Sequence, residues 1–231
     1  MSSVAIVVAA GKGKRVGGDV PKQFRLLLRM PVVAWALDAF EKSERTHEVV
    51  LVVPPGWTKE VREGVVKRYG FGKVKAVVVG GRTRQESMVR GFRKVRDKDC
   101  IICVHDGARP FVNSKLIDRA VDAAERFGAS VVASPVKDTV KVTTDDGFVR
   151  WTPDRAYLWA AQTPQCFRCD ILRAAVEDAE KEGFMATDDS SLVERIGERI
   201  VVVPGTEENI KITTEFDFLV AKAIAKELRS G

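Results

Sequence analysis

Two short stretches of this 231-residue chain carry residue types suited to handling phosphate. The first, "VVAAGKGKRVGGDVPKQF", runs from Val7 to Phe24 and interleaves glycines with Lys12, Lys14, Arg15 and Lys22. Glycine exposes backbone N–H groups and the cations supply charge, which together make an anion cradle. A dinucleotide fingerprint needs glycines at the first, third and sixth places; Gly11 and Gly13 fit, but the sixth place is Val16. A P-loop counted from Gly13 reaches Gly18 and then Asp19, where Lys-Ser/Thr is required. What remains is a phosphate wrap of another kind, or a solvated basic turn. The second stretch, "VHDGARPF", ends an apolar run with Asp106. A carboxylate there either meets a divalent ion held by triphosphate oxygens or closes an Asx-turn. Arg109 either reaches a phosphate or braces the loop, and Pro110 fixes the turn. His105 reads as packed rather than catalytic. With His47 the only other histidine, acid–base chemistry through imidazole is poorly served.

The elements that must position these residues follow from hydrophobic rhythm. "VAIVVAA", "EVVLVV", "KVKAVVVG", "CIICVHD", "ASVVASPV" and "RIVVVPG" read as six strands, most continuous enough to be buried on both faces. Between them lie helical patterns. "TRQESMVRGFRKV" opens with a Thr83-x-x-Glu86 capping box, and "NSKLIDRAVDAAERFG" puts Leu116, Ile117, Ala120, Val121, Ala124 and Phe127 on one face. The alternation implies an α/β fold, a mostly parallel sheet with helices on both sides, and ligands beyond the carboxyl ends of its strands. "KDTVKVTTDDGFVRWTP" breaks the rhythm as a β-hairpin around an Asp-Gly turn. Such a hairpin is marginal alone, and this one carries Val140, Val142, Phe148, Val149 and Trp151, so it is expected to pack on something, a second subunit included. A Thr214-x-x-Asp217 signal caps the last helix.

Composition narrows the class. A 45% hydrophobic, 30% charged chain of this length builds one well-buried core. The net charge of +6 comes from 38 basic against 32 acidic residues with no long basic tract, which suits a phosphorylated substrate better than a nucleic-acid coat. No apolar run approaches a membrane span, and "SVAIVVAAG" lacks the basic start of a signal peptide. Two C-x-x-C pairs, Cys100/Cys103 and Cys166/Cys169, raise the question of zinc. The first pair lies in a buried strand, where residues three apart face opposite sides. The second has no glycine knuckle and reads as the opening of a helix. Buried, reduced thiols are expected, as in cytosol, and a cytoplasmic location with them.

The blocks "AAGKGKRVGGDVPKQF", "GGRTRQESM", "VHDGARPF", "SPVKDTVK", "DRAYLWAAQTPQCF" and "ENIKIT" resemble, in order and spacing, the 2-C-methyl-D-erythritol 4-phosphate cytidylyltransferases, from Ala9 to Thr213. The resemblance implies a three-layer Rossmann-like nucleotidyltransferase fold over 1–231, with 136–155 as a protruding hairpin arm. It implies a glycine loop, including Gly11 and Gly13, that wraps the triphosphate of CTP, with Arg15 and Lys22 at the α-phosphate. Ala9, Ala10, Gly81 and Ser87 then fall near cytosine and ribose. Asp106 falls on the metal-binding aspartate, with Mg2+ or another divalent ion expected and no organic cofactor. Arg155 and Lys211 fall on catalytic cations that orient the polyol phosphate, and Thr139, Thr163 and Arg109 line its region. Asp188 and Asp189 match an acidic block, and helix capping is favoured for them over metal binding.

The expected activity is transfer of CMP from CTP to 2-C-methyl-D-erythritol 4-phosphate with release of pyrophosphate, in isoprenoid precursor synthesis. The expected assembly is a homodimer through the arm, without nucleic acid or membrane as partner. Two alternatives remain: a ribitol 5-phosphate cytidylyltransferase, and a non-catalytic nucleotide- or nucleic-acid-binding module. The chemistry itself needs no protein nucleophile. Two repelling polyanions must be held in line while charge spreads over phosphate oxygens, which calls for cations and a metal.

Overall fold

A computed structural model describes residues 1–11 and 20–230 of the chain. Its first half runs β1 (Ser2–Val8), the short ladder β2 (Leu26–Leu27) and β3 (Met30–Pro31), α1 (Val32–Lys42), β4 (Glu48–Val53), α2 (Thr58–Val61), β5 (Val74–Val79), α3 (Arg84–Phe92) and β6 (Cys100–Asp106). The second half adds α4 (Ser114–Phe127), β7 (Ala129–Pro135), β8 (Val142–Thr143), β9 (Val149–Trp151), β10 (Trp159–Arg168), α5 (Cys169–Glu182), α6 (Asp189–Arg195), β11 (Val201–Pro204) and α7 (Glu215–Ser230).

Among the described residues seven strands form one sheet in the order β11-β7-β10-β6-β1-β4-β5. Every neighbouring pair is parallel except those made by β10, which runs antiparallel to both β6 and β7. All six strands read from the sequence are present. Their apolar runs are continuous because both faces are covered. Ala5 and Val7 of β1 pack with α1 and α4 on one face, while Val4, Ile6 and Val8 pack with α3, α5 and α6 on the other. A third cluster seats α7, through Phe218, Ala221 and Ala225, against Leu27, Phe111 and Ile212.

Local signals set the helix ends. Thr83 Oγ1 accepts from the Glu86 N–H at 3.0 Å, and Asn113 Oδ1 accepts from the Leu116 N–H at 2.8 Å. α4 stops at Gly128, whose φ of 94° a side chain would resist. Two expectations are corrected. Phe127 is 53% exposed rather than on the buried face, because the helix ends there and the chain turns away at Gly128. Cys166 lies inside β10, and only Cys169 opens a helix. The hairpin is present but short: β8 and β9 pair across a turn in which the Gly147 N–H donates to the Thr144 carbonyl at 3.0 Å. Its apolar residues Phe148, Val149 and Trp151 are exposed.

Candidate active site

A cavity of about 750 Å3 opens at the carboxyl ends of β1, β5 and β6, the place where ligands collect in such sheets. The loops leaving these strands are latched to neighbouring strands. The Ala9 N–H donates to the Val52 carbonyl at 2.7 Å, the Gly80 N–H to Val53 at 2.8 Å, and the Gly107 N–H to Val8 at 2.9 Å. Gly80 is required by this closeness, since a Cβ there would lie 2.3 Å from Ala10 Cβ. Ser87 fixes the next turn: its hydroxyl donates to the Thr83 carbonyl at 2.8 Å and accepts from the Gly81 N–H at 3.0 Å.

Asp106 ends β6 and sits at the rim of this cavity, only 6% exposed. Arg84 Nε donates to its Oδ1 at 2.8 Å, and Lys211 Nζ lies 2.6 Å from its Oδ2. Burial alone would push the carboxyl up; the two cations outweigh it and hold it well below the usual carboxylate range. Arg84 turns its other nitrogens to Asp189, with Nη1–Oδ1 at 2.9 Å and Nη2–Oδ2 at 2.7 Å. Burial works against the charge on Arg84, but Asp189 and Asp106 reverse that and raise its pKa. Burial also pushes Asp189 up, against the pull of Arg84. The two-on-two geometry is that of an ionised carboxylate facing a guanidinium fork.

Of the residues expected at the site, Ala10, Gly11, Lys22, Gly81, Ser87, Asp106 and Lys211 line this one cavity. Ala9 lies buried behind it. Gly13 and Arg15 lie outside the described residues, as do Lys12 and Lys14. Lys22 opens a short 3-10 turn, Lys22–Phe24, whose Gln23 side chain is 3% exposed and donates to the Gly11 carbonyl at 3.2 Å. Arg109 braces: Nη1 donates to the Asn209 carbonyl at 2.6 Å and Nη2 to the Ala161 carbonyl at 3.4 Å. Thr163, 3% exposed, accepts from the Asp106 N–H at 3.1 Å and meets His105 Nδ1 at 3.0 Å. Thr139 and Arg155 are exposed on the arm side and do not line the cavity of their own chain.

His105 is packed, as its sequence suggests. Burial lowers it to about 4, so the ring is neutral, accepting a hydrogen bond from the Thr163 hydroxyl at Nδ1 and donating from Nε2 to the Arg109 carbonyl at 3.1 Å. The acidic pair divides its work. Asp188 caps α6, accepting from the Ser191 N–H at 3.0 Å, whereas Asp189 anchors Arg84. Arg84 itself, and Asn209, escaped the sequence reading. Arg84 was visible only as the first residue after a cap, and Asn209 as the start of "NIK". Asn209 has no exposure and donates from Nδ2 to Gln162 Oε1 at 3.0 Å and the Thr163 carbonyl at 2.9 Å, tying the Lys211 segment to β10.

A mostly parallel α/β sheet whose strand-end carboxylate is held by Arg84 and Lys211, at a glycine-lined cleft that Lys22 also lines, defines a nucleotidyltransferase. The family model for 2-C-methyl-D-erythritol 4-phosphate cytidylyltransferase matches residues 3–227. The chain is 44% identical to the enzyme of that name from Geotalea uraniireducens, over 100% of this chain and 99% of the other. It is 46% identical to the one from Pelotomaculum thermopropionicum, over 96% and 93%. Among solved structures it is similar to the 4-diphosphocytidyl-2C-methyl-D-erythritol synthase of Anaerococcus prevotii, with TM-score 0.87, 30% identity and coverage of 97% and 96%. The Thermus thermophilus cytidylyltransferase aligns with TM-score 0.77, 32% identity and coverage of 98% and 100%. The chain belongs to the 2-C-methyl-D-erythritol 4-phosphate cytidylyltransferase family, whose reaction is CTP-dependent cytidylyl transfer in the isoprenoid pathway.

Asp189→Ala leaves Arg84 half-paired at the edge of the core. Breaking a buried pair costs about 3–5 kcal/mol, and the 27% exposure of the Arg84 side chain puts this case at the lower end. Urea unfolding is expected to show that loss, and a midpoint equal to the wild type would contradict the anchoring role.

Proposed function

We propose that the cavity beside Asp106 holds the triphosphate of CTP and that the segment carrying Lys211 presents the polyol phosphate to it. The supporting observation is the charge layout: Arg84 and Lys211 converge on one buried carboxylate at the strand ends, and Lys22 lines the same cavity. A phosphate-monoester oxygen attacks the α-phosphorus, forming the new P–O bond as the bond to the β-phosphate bridge breaks and pyrophosphate leaves. Lys22, with Arg15 from the same glycine-rich stretch of sequence, meets the charge that develops on the α-phosphate oxygens. Lys211 neutralises and orients the incoming phosphate. No side chain needs to act as base, since a phosphate monoester is already anionic at neutral pH.

A divalent ion fits the donor set. Magnesium keeps most of its waters and is typically held by one or two carboxylates plus phosphate oxygens. Asp106 is an ionised carboxylate at the cavity rim, and among the described residues no group of three His, Cys, Asp or Glu converges to make a closed cage. Asp106 would hold the ion, which supplies charge neutralisation on the triphosphate. Arg84 keeps Asp106 aimed at the cleft, and Ser87 and Gly81 shape the nucleoside end.

The arm completes the site of a second copy. Thr139 and Arg155 lie away from the cavity of their own chain, and Phe148, Val149, Trp151 and Tyr157 are exposed around them. A homodimer that buries this face would bring Arg155 to the partner's polyol phosphate.

Pyrophosphate release measured with CTP and either 2-C-methyl-D-erythritol 4-phosphate or ribitol 5-phosphate tests the assignment. Turnover of the first is expected, and turnover of ribitol 5-phosphate alone would overturn it. Lys22→Ala should lower kcat on the order of a hundredfold or more, the usual worth of one transition-state charge contact; near-wild-type kcat would remove Lys22 from the reaction. For the arm, Trp151→Glu should convert a dimer into a monomer by sedimentation and take the activity with it, whereas a fully active monomer would refute the shared site.

A further inference from the structure

The two C-x-x-C motifs have no part in this chemistry, yet the sheet pairs them with each other. β10 is antiparallel to β6 and places Cys166 directly opposite Cys103. The same register, carried three residues further, brings Cys169 opposite Cys100. Each motif therefore gives one sulfur to each face of the sheet: Cys103 and Cys166 lie in the cluster under α1 and α4, Cys100 and Cys169 in the cluster under α3 and α5. All four are free thiols.

The two pairs differ in their surroundings. Cys103 and Cys166 meet each other deep in the core. Cys100 and Cys169 also lie beside one another, but both thiols donate to the same backbone carbonyl, Asp97 O, at 3.3 and 3.7 Å. Asp97 belongs to the exposed segment 96–99 that leads into β6, so this pair lies one loop away from solvent. Arg173, one helical turn beyond Cys169, places Nη2 3.5 Å from Cys169 Sγ. Cys169 is also the first residue of the 14-residue helix α5. Guanidinium and helix amino end both face the sulfur that must carry negative charge when it attacks an electrophile. Burial, with Cys169 beside it, pushes the Cys100 thiol up to about 12, so Cys100 rests protonated.

We propose that Cys100 and Cys169 form a redox modification site, a dithiol that hydrogen peroxide converts to an intrachain disulfide. Cys169 attacks as the thiolate: an S–O bond forms, the O–O bond breaks, and the departing oxygen takes a proton and leaves as water. Cys100 then attacks the sulfenic sulfur; the S–S bond forms, the S–O bond breaks, and a second water leaves. Two thiols lose two electrons, and the peroxide is reduced to two waters. A disulfide needs Cβ atoms about 3.5–4.5 Å apart. Cys169 follows the last pair of the ladder, Arg168 opposite Ile101, so closure takes place at a strand end adjoining an exposed loop.

The test uses the reduced full chain treated with hydrogen peroxide, alkylated in denaturant and digested without reductant. The expected result is loss of two hydrogen masses per chain and a Cys100–Cys169 cross-linked peptide in most chains, reversed by dithiothreitol, with Cys103 and Cys166 alkylated. Absence of a cross-link, sulfinic or sulfonic acid alone, or a Cys103–Cys166 link in its place would overturn the proposal. In Cys169→Ala no intrachain disulfide should form and Cys100 should remain alkylatable; a disulfide that persists there would equally refute it.

Discussion

A carboxylate buried at the end of the central strand of a sheet has to be met by positive charge, and the layout around Asp106 follows from that requirement. Arg84 and Lys211 come from segments far apart in sequence, one at the start of α3 and one beyond β11, and each gives Asp106 one of its two short contacts. Arg84 is held by Asp189, and the Lys211 segment is held by Asn209 and by the Ile212 N–H, which donates to the Ala108 carbonyl at 2.9 Å. The cations that a polyanionic substrate needs are thus already gathered, each with its charge offset by a neighbour. On the proposed function, a metal and a triphosphate would exchange one set of counter-charges for another rather than assemble the site from nothing.

Much of this was legible in the sequence because the signals are local. Continuous Val/Ile runs mark strands covered on both faces, and Thr83 and Asn113 announce the helices that follow them. β10 was not legible. Gln162, Thr163 and Gln165 interrupt its apolar pattern, and all three are buried because their partners are distant: Asn209 and Thr206, Asp106 and His105, Asp188 and Ser190. Hydrogen bonds across such separations leave no periodicity to read. The same reason hid Arg84, whose meaning depends on Asp189 more than a hundred residues later. Arg109 shows the converse: its position suggested phosphate or bracing, and only the carbonyls around it decide for bracing.

One antiparallel strand in an otherwise parallel sheet has two separate consequences. At its middle, the irregular step between Ala161 and Gln165 turns Thr163 toward Asp106 and fixes the strand end that borders the cavity. At its far end it leads into α5 and brings one C-x-x-C motif over the other, one sulfur to each face.

The dependence of the site on the Asp106 charge is tested most directly by calorimetric titration of CTP with and without Mg2+, for the wild type and Asp106→Asn. The account predicts that removing Mg2+ weakens CTP binding by roughly tenfold or more in the wild type, about 1.4 kcal/mol, and leaves the variant nearly unchanged. Equal metal dependence in both proteins would contradict it.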